Sequence, residues 1–243
     1  MPELHLSPAL DGVKELMGND IGTRERLILL TIDEIMKSGP ADFNARLVCD
    51  RMQVKQSMVP YHFGSREGLI TEATIWAFRD WSRYAISVIR RTKGDGEKRL
   101  RAYLNAEVEW AMRMGPIALL VQYPILSERV RMKIDEQYGD EMRRNLEYHL
   151  AVLADLVVDI RTGSTNPLDY DEHTYPSMEA AVSKAAEFLT ATSISWAAHG
   201  LQMWVSGSHL STKSFWTLDV PKIAVKFTVK HHIDEIVATA KGR

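Results

Sequence analysis

The stretch that decides the fold is residues 44–69, NARLVCDRMQVKQSMVPYHFGSREGL. Two short segments with helical character flank the polar residues QVKQ, and asparagine before the first is a residue type that caps helices. We predict one short helix from Asn44 to Met52 and a second, very short one over residues 56–61. This spacing is typical of a helix-turn-helix, whose second helix enters the DNA major groove. A purely structural pair of antiparallel helices has the same pattern, so the pattern alone leaves both interpretations open.

Longer helical segments lie on both sides of this stretch. Apolar residues recur at helical spacing in Thr23–Ser38, which Gly39 ends, and Ser65 is the predicted N-cap of a helix that runs to about Arg91. Strand-like alternation is hard to find. We predict further helices over residues 97–114, 117–123, 127–161, 178–206 and 221–241. The fold class predicted is therefore all-α.

The organisation predicted from the helix pattern is a small N-terminal three-helix unit joined to a larger C-terminal helical bundle. Residues 1–22 are interpreted as a loose N-terminal arm, apart from one helical turn near Leu16. The three-helix unit covers residues 23–70, and the bundle covers residues 71–243.

Composition sets broad limits on the function. The 243 residues are 45% hydrophobic and 26% charged, with a formal net charge of -2. The protein as a whole is not basic, although a local DNA-binding face is compatible with this charge. A single cysteine, Cys49, cannot form an internal disulfide. The N-terminus lacks the pattern of a signal peptide, and no apolar run is long enough to span a bilayer. We expect a cytoplasmic protein with no membrane partner.

Residues 23–73 resemble the N-terminal domain of TetR-family transcriptional regulators. The resemblance includes a first helix ending at Gly39, the block Arg46–Cys49, Val54 in the turn and the sequence YHFGSREGLI at 61–70. It implies a helix-turn-helix DNA-binding domain over residues 23–70 and a ligand-binding and dimerisation domain over residues 71–243. It also implies a homodimeric repressor that binds a palindromic double-stranded DNA operator and leaves it when a small-molecule effector binds. It implies neither enzymatic activity nor a cofactor. The rest of the chain carries no family motif, but its helical layout agrees with the resemblance.

Two residues depart from the pattern of the family. Gln53 lies where the family usually has the turn glycine, so it must accept a positive φ, at a cost of about 1 kcal/mol, or the turn must relax. Pro60 lies where the family often has a tyrosine or asparagine that contacts phosphate. Proline has no N–H donor and disfavours helical geometry at Val59. We therefore expect a second helix that is tightened toward 3₁₀ at its C-terminal end, or alternatively a weakened DNA recognition.

The resemblance places Gln56, Ser57 and Met58 on the groove-facing side of the second helix. Glutamine can bond bidentately to adenine, and serine can bond to several bases. Met58 is interpreted either as a contact for a thymine methyl or as partial core filling. Phosphate contacts are expected from polar and charged groups near helix ends, and one of these groups, Arg46, can alternatively reach a base edge. These groups are Asn44, Arg46, Lys55, Tyr61, His62 and Arg66.

The C-terminal bundle is predicted to dimerise and to bind the effector. By resemblance, the last two long helices form the dimer interface. Large apolar residues with scattered polar groups between bundle helices indicate a largely apolar, drug-sized ligand; the alternative is a plain core with satisfied polar groups. The predicted pocket residues are Tyr103, Glu107, Trp110, Met114, Tyr123, Phe188, Thr192, Ser195, Trp196, His199 and Met203.

Two other functions remain open at this stage. The chain can be a ligand-binding helical dimer whose operator recognition Pro60 has weakened. It can also be an all-α enzyme, provided that Glu107 and His199 meet in one cavity. His231 and Glu235 are spaced four residues apart, but no third ligand lies at a convincing spacing, so we predict no metal site.

Overall fold

A computed structural model describes residues 6–18, 21–122, 128–164, 185–207 and 222–242. All regular secondary structure in these ranges is helical, which confirms the all-α fold class. A 3₁₀ turn, Pro8–Leu10, precedes the α-helices. The helices are α1 (Asp11–Met17), α2 (Thr23–Ser38), α3 (Ala45–Met52), α4 (Met58–Phe63), α5 (Arg66–Arg91), α6 (Gly96–Met114), α7 (Pro116–Gln122), α8 (Glu128–Thr162), α9 (Ala185–Gly207) and α10 (Lys222–Ala240).

Side-chain caps fix the starts of three of these helices. The side-chain oxygen of Asn44 accepts a hydrogen bond from the backbone N–H of Arg46 at 3.0 Å. Ser65 does the same for Gly68 at 3.0 Å at the start of α5, and Asp95 caps α6. Because such caps satisfy N–H groups that lack intrahelical partners, they define helix boundaries in the sequence as well as in the structure.

The N-terminal segment packs against the rest of the protein, so its description as a loose arm is wrong for residues 6–18. Leu10 and Val13 are fully buried, and α1 packs against α5. The fit at Gly12 is close, since a Cβ there would lie 2.1 Å from a carboxylate oxygen of Asp80. Arg83 also donates to the carbonyl of Gly12 at 2.8 Å. A seven-residue helix offers too few apolar positions for its periodicity to be recognised in the sequence.

The turn between α3 and α4 contains a residue in the left-handed backbone conformation, at the position where the sequence predicts a positive φ. Gln53 has φ 56° and ψ 40°, and it is the one non-glycine residue with positive φ in the described ranges. Its N–H caps the end of α3 through the carbonyls of Asp50 and Cys49. The expected strain at this position is therefore present and the turn has not relaxed.

Replacement of Gln53 by glycine is expected to stabilise the protein by about 0.5–1 kcal/mol, because glycine adopts this conformation without a Cβ penalty. Urea denaturation followed by circular dichroism measures the change. Gln53→Ala is the matched control, because it keeps the Cβ atom and should give no gain. A glycine variant that is less stable than the alanine variant would contradict the assignment of strain to this residue.

Pro60 lies in the first turn of α4, because this helix begins at Met58. A residue in the first turn has no intrahelical partner for its N–H, so proline is tolerated there. The backbone is tightened before the proline: Met58 and Val59 donate to carbonyls three residues earlier, at 3.0 and 3.2 Å. Tyr61 already donates four residues back, at 3.1 Å. The predicted tightening at the C-terminal end of this helix is therefore wrong, and it occurs at the N-terminal end.

The larger helices α5, α6, α8 and α9 pack around one core. Trp81, Trp110 and Phe78 are among its largest buried side chains. A buried ion pair joins α6 to α8, with Arg99 Nη2 2.5 Å from Asp159 Oδ2. Helix α10 packs on α9 and α6. Within the described ranges, no helix combines the length and apolar character that a lipid bilayer crossing requires.

Candidate functional site

The turn before α4 and the outer side of that helix form a polar, exposed surface. Lys55, Gln56 and Ser57 are exposed, and Tyr61 is 79% exposed, whereas Val59 on the opposite side is buried. The first turn of α3 adds Asn44 and Arg46, which are also exposed. We call this set the α3–α4 polar face. It contains six of the nine residues predicted to contact DNA, and all six are exposed.

Three of the residues predicted to contact DNA are partly buried or already bonded within the protein. Met58 is half-buried and packs against the core, which favours its interpretation as core filling. The ring nitrogen Nε2 of His62 is buried and has no hydrogen-bond partner among the described residues. The guanidinium of Arg66 donates to the carbonyl of Phe43 at 2.9 Å and lies 5.3 Å from the centre of the Phe43 ring.

The face of α6 predicted to line a ligand pocket lies in the core. Tyr103, Glu107, Trp110 and Met114 are all buried. Trp110 donates to the carboxylate of Asp80 at 2.9 Å, so its polar atom is satisfied. This face therefore agrees with the alternative interpretation, a core whose polar groups have partners.

Glu107 is the centre of a buried polar cluster. The indole N–H of Trp81 lies 3.0 and 2.9 Å from its two carboxyl oxygens, and the amide of Gln202 contacts the same carboxyl. Burial raises the pKa of Glu107 to about 8, although hydrogen bonds from Trp81 and Tyr103 oppose this shift. A carboxyl with this pKa is mostly protonated at neutral pH and can donate a hydrogen bond.

A chain of hydrogen bonds runs from Tyr103 toward the surface. The Tyr103 hydroxyl lies 3.1 Å from His149 Nδ1, and His149 Nε2 lies 3.0 Å from Ser82 Oγ. Ser82 Oγ then donates to Asn145 Oδ1 at 2.6 Å. We call Glu107, Tyr103, His149, Ser82 and Asn145 the buried relay.

The donors between His149 and Asn145 can point in one direction. Since Ser82 gives its proton to Asn145, it accepts from His149 Nε2–H, which leaves His149 Nδ1 without a proton. This arrangement requires a neutral imidazole. Burial, with a smaller contribution from the nearby His199, lowers the pKa of His149 to about 3. Trp81 stacks on this neutral ring, with 4.4 Å between ring centres.

Two of the α9 residues predicted to line the pocket lie on the exposed side of the helix. Trp196 is 77% exposed and Met203 is also exposed, so neither lines a pocket with the α6 residues. Phe188, Ser195 and His199 are half-buried, and the Thr192 hydroxyl bonds to the carbonyl of Phe188 within its own helix. The core-facing residues are instead Ala191, Ile194, Ala198, Leu201, Gln202 and Val205. The predicted pocket residue Tyr123 lies outside the described residues.

Sequence reasoning missed three members of the interior: Trp81, His149 and Gln202. A signal was available for the last two, because each is a polar residue within an apolar segment, YHLAVLADLVV and GLQMWV respectively. Trp81 gave no such signal, since its indole nitrogen becomes relevant only when Glu107 is known to lie beside it.

Two clefts lie on the surface and neither contains the α6 face. A groove of about 590 Å³ lies between α9 and α10, and a cleft of about 470 Å³ lies between α1, α5 and α8. Glu107 and His199 line neither of these two clefts. Among the described residues, no group of three or more His, Cys, Asp or Glu side chains could hold a metal ion.

An apolar surface is exposed along α9 and α10. Large hydrophobic side chains with partial or high exposure are Leu189, Trp196, Met203, Trp204 and Phe227. Exposed apolar residues that form a large contiguous patch mark surfaces that bind partners. By contrast Leu201, Val205, Ile233 and Val237 on the same helices are buried within the chain.

Comparison with known proteins gives no identification, since neither a family model nor a curated protein matches the chain.

Proposed function

We propose that the protein is a homodimeric, TetR-type DNA-binding transcriptional regulator, which acts as a repressor released from its operator by a small ligand. The observation that carries the proposal is the α3–α4 polar face, which lies within the segment that resembles the family. Gln56, Ser57 and Tyr61 are exposed there while Val59 anchors the helix in the core. Amide and hydroxyl groups on an exposed turn and the short helix that follows it suit base and phosphate contacts in a major groove.

The dimer is proposed to form through the exposed apolar residues of α9 and α10. A second copy of the chain is the occupant that suits this surface, because a two-fold dimer presents two α4 helices to the two halves of a palindrome. Half-sites about 34 Å apart then place both helices on the same side of the duplex.

Signal transmission is proposed to use α5. This helix begins three residues after α4 ends, and it carries Trp81 and Ser82 into the buried polar interior. A ligand that favours another position of α5 also changes the separation of the two α4 helices. A coupling free energy of about 1–3 kcal/mol corresponds to a 5- to 150-fold change in operator affinity.

The position of Pro60 gives little support to the alternative of weakened DNA recognition. In the first turn, proline removes at most one helical hydrogen bond, and α4 continues for three residues beyond it. If Pro60 were the cause of weakened recognition, Pro60→Asn would raise DNA affinity, whereas we expect a change of less than about twofold.

The experiment that tests the function is selection of duplexes from a random DNA pool by the full-length protein. We expect enrichment of one palindromic sequence with half-sites one helical turn apart. Replacement of Gln56 by alanine should abolish the enrichment at one base position per half-site, while Gln137→Ala, at an exposed position of α8, serves as control. A pool without an enriched sequence would contradict the proposal.

A further inference from the structure

The carboxylate of Glu72 on α5 is shared between two other helices. Its Oε2 lies 2.8 Å from Arg24 Nη2 on α2, and its Oε1 accepts a hydrogen bond of 2.5 Å from the hydroxyl of Tyr138 on α8. The side chain of Glu72 is only 12% exposed. Because a buried carboxylate is costly unless it is paired and hydrogen-bonded, both partners stabilise Glu72 in this position. Glu72 therefore joins α5 to α2 and to α8.

The α2 partner of Glu72 also contacts α4. The guanidinium carbon of Arg24 lies 5.4 Å from the centre of the Phe63 ring, which is within the range of a cation–π contact. Phe63 is the last residue of α4 and packs against the core. Since α4 has only six residues, a contact at its end helps to set the direction of the whole helix. We call Tyr138, Glu72, Arg24 and Phe63 the Glu72 bridge.

The α8 side of the Glu72 bridge is held by a second set of contacts. Arg79 forms a bidentate pair with Glu141, at 2.7 and 2.8 Å, and its guanidinium carbon lies 5.7 Å from the centre of the Tyr138 ring. The same guanidinium lies 4.9 Å from the centre of the Trp76 ring. Burial, together with the hydrogen bond to Glu72, raises the pKa of Tyr138 to about 12. The hydroxyl of Tyr138 therefore keeps its proton at neutral pH and remains a donor.

We propose that Glu72 is a positioning residue, which fixes the direction of α4 by joining it to α8 through the Glu72 bridge. A movement of α8 then reaches α4 through the bridge as well as through α5. The consequence for DNA affinity rests on the DNA-binding function proposed above, whereas the placement of α4 can be measured without DNA.

Hydrogen–deuterium exchange of the full-length protein, followed by mass spectrometry without DNA, tests the placement of α4. The backbone N–H groups of Met58, Tyr61 and Gly64 donate hydrogen bonds in or beside this helix, at 3.0, 3.1 and 3.0 Å. Tyr138→Phe removes one hydrogen bond to a carboxylate and keeps the ring beside Arg79. We expect these three groups to exchange about fivefold faster in this variant, because α4 then opens more often. The amides of α6 should exchange as in the wild-type protein.

Tyr84→Phe is the matched control, because it also removes a tyrosine–glutamate hydrogen bond from α5. The Tyr84 hydroxyl lies 2.9 Å from Glu109 Oε2, so this bond joins α5 to α6. The control should leave exchange in α4 unchanged. Unaltered exchange in α4 of Tyr138→Phe, or exchange that is accelerated equally in all helices, would overturn the proposal.

A double variant tests whether Tyr138 acts on α4 through Glu72. Arg24→Gln removes the other partner of Glu72 and interrupts the bridge on the α2 side. In a protein that carries Arg24→Gln, Tyr138→Phe should have little further effect on exchange in α4, since the link is already broken. Effects of the two substitutions that multiply would show that they act independently, which would overturn the proposal.

Fluorescence anisotropy with the selected duplex separates the positioning role from the DNA-binding function. Tyr138→Phe should bind the duplex about fivefold more weakly, and Tyr84→Phe should bind it as tightly as the wild-type protein. Faster exchange in α4 of Tyr138→Phe without sequence-specific binding by the wild-type protein would support the positioning role and contradict the DNA-binding function. Sequence-specific binding together with unaltered exchange in α4 would contradict only the positioning role.

Discussion

Replacement of Asp159 by alanine is expected to lower the free energy of unfolding by about 3–5 kcal/mol. Asp159 pairs with Arg99 at 2.5 Å between α8 and α6, and the two side chains are only 9% and 4% exposed. Removal of the carboxylate leaves the Arg99 charge in the core without its ion-pair partner, and burial makes such a charge costly. Urea denaturation at pH 7, followed by circular dichroism, measures the loss.

A second ion pair serves as the control, because its N–O distance is the same but its side chains are more exposed. Arg101 and Asp234 are also 2.5 Å apart, but their side chains are 36% and 43% exposed. Asp234→Ala should cost no more than about 1 kcal/mol, because solvent screens the pair and replaces the lost contact. Equal losses of unfolding free energy in Asp159→Ala and Asp234→Ala would contradict the view that burial determines how much each ion pair contributes to stability.

Replacement of Glu107 by glutamine is expected to remove a pH dependence of stability. The pKa of Glu107 is raised from 4.5 to about 8, so between these values the folded protein keeps a proton that the unfolded chain loses. Stability therefore falls as the pH rises through this window, by up to about 1.4 kcal/mol per pH unit. Glutamine resembles the protonated acid and has no proton to lose, so the variant should be the more stable protein at pH 8.

The titration of His149 limits the pH range in which the effect of Glu107 on stability can be seen. Its pKa is lowered to about 3, so below its ordinary value of 6.5 the unfolded chain takes up a proton that the folded protein does not, and stability falls as the pH falls. The two effects oppose each other between about pH 4.5 and 6.5. Above pH 6.5 Glu107 acts alone, and the wild-type protein should lose about 2 kcal/mol by pH 8 relative to Glu107→Gln.

Urea denaturation at pH 6.5 and pH 8 measures this difference. Glu109→Gln is the control, because Glu109 lies on the same helix but is exposed. It should keep the pH dependence of the wild-type protein. If Glu107→Gln also kept that dependence, a protonated Glu107 in the core would be excluded.

The parts of the fold that the sequence predicts are those with a local cause. Asn44 and Ser65 were recognised as caps because a cap acts on backbone groups two or three residues away. The left-handed conformation of Gln53 was predicted as one of two outcomes, because the turn between two close helices constrains that residue directly. The predicted helix boundaries were less accurate near proline. The second helix was predicted over residues 56–61, but α4 begins at Met58, which places Pro60 in its first turn.

The parts that the sequence does not predict depend on contacts between distant segments. Glu107 was recognised as unusual on its apolar face, but its partners Trp81 and Gln202 come from two other helices. The exposure of Trp196 could not be predicted because both faces of α9 are apolar, so periodicity does not show which face meets the core. The docking of α1 rests on a contact of Gly12 with Asp80, 68 residues away in the chain, which no local pattern contains.

The proposed DNA-binding function is tested most directly by the affinity of the full-length protein for its selected duplex and for a scrambled duplex of the same composition. Fluorescence anisotropy at 150 mM salt gives both dissociation constants. We predict that the selected duplex binds about 10³-fold or more tightly, and that both affinities fall as salt increases because phosphate contacts release counterions. Equal dissociation constants for the two duplexes, or no binding of either, would contradict the function proposed for the α3–α4 polar face.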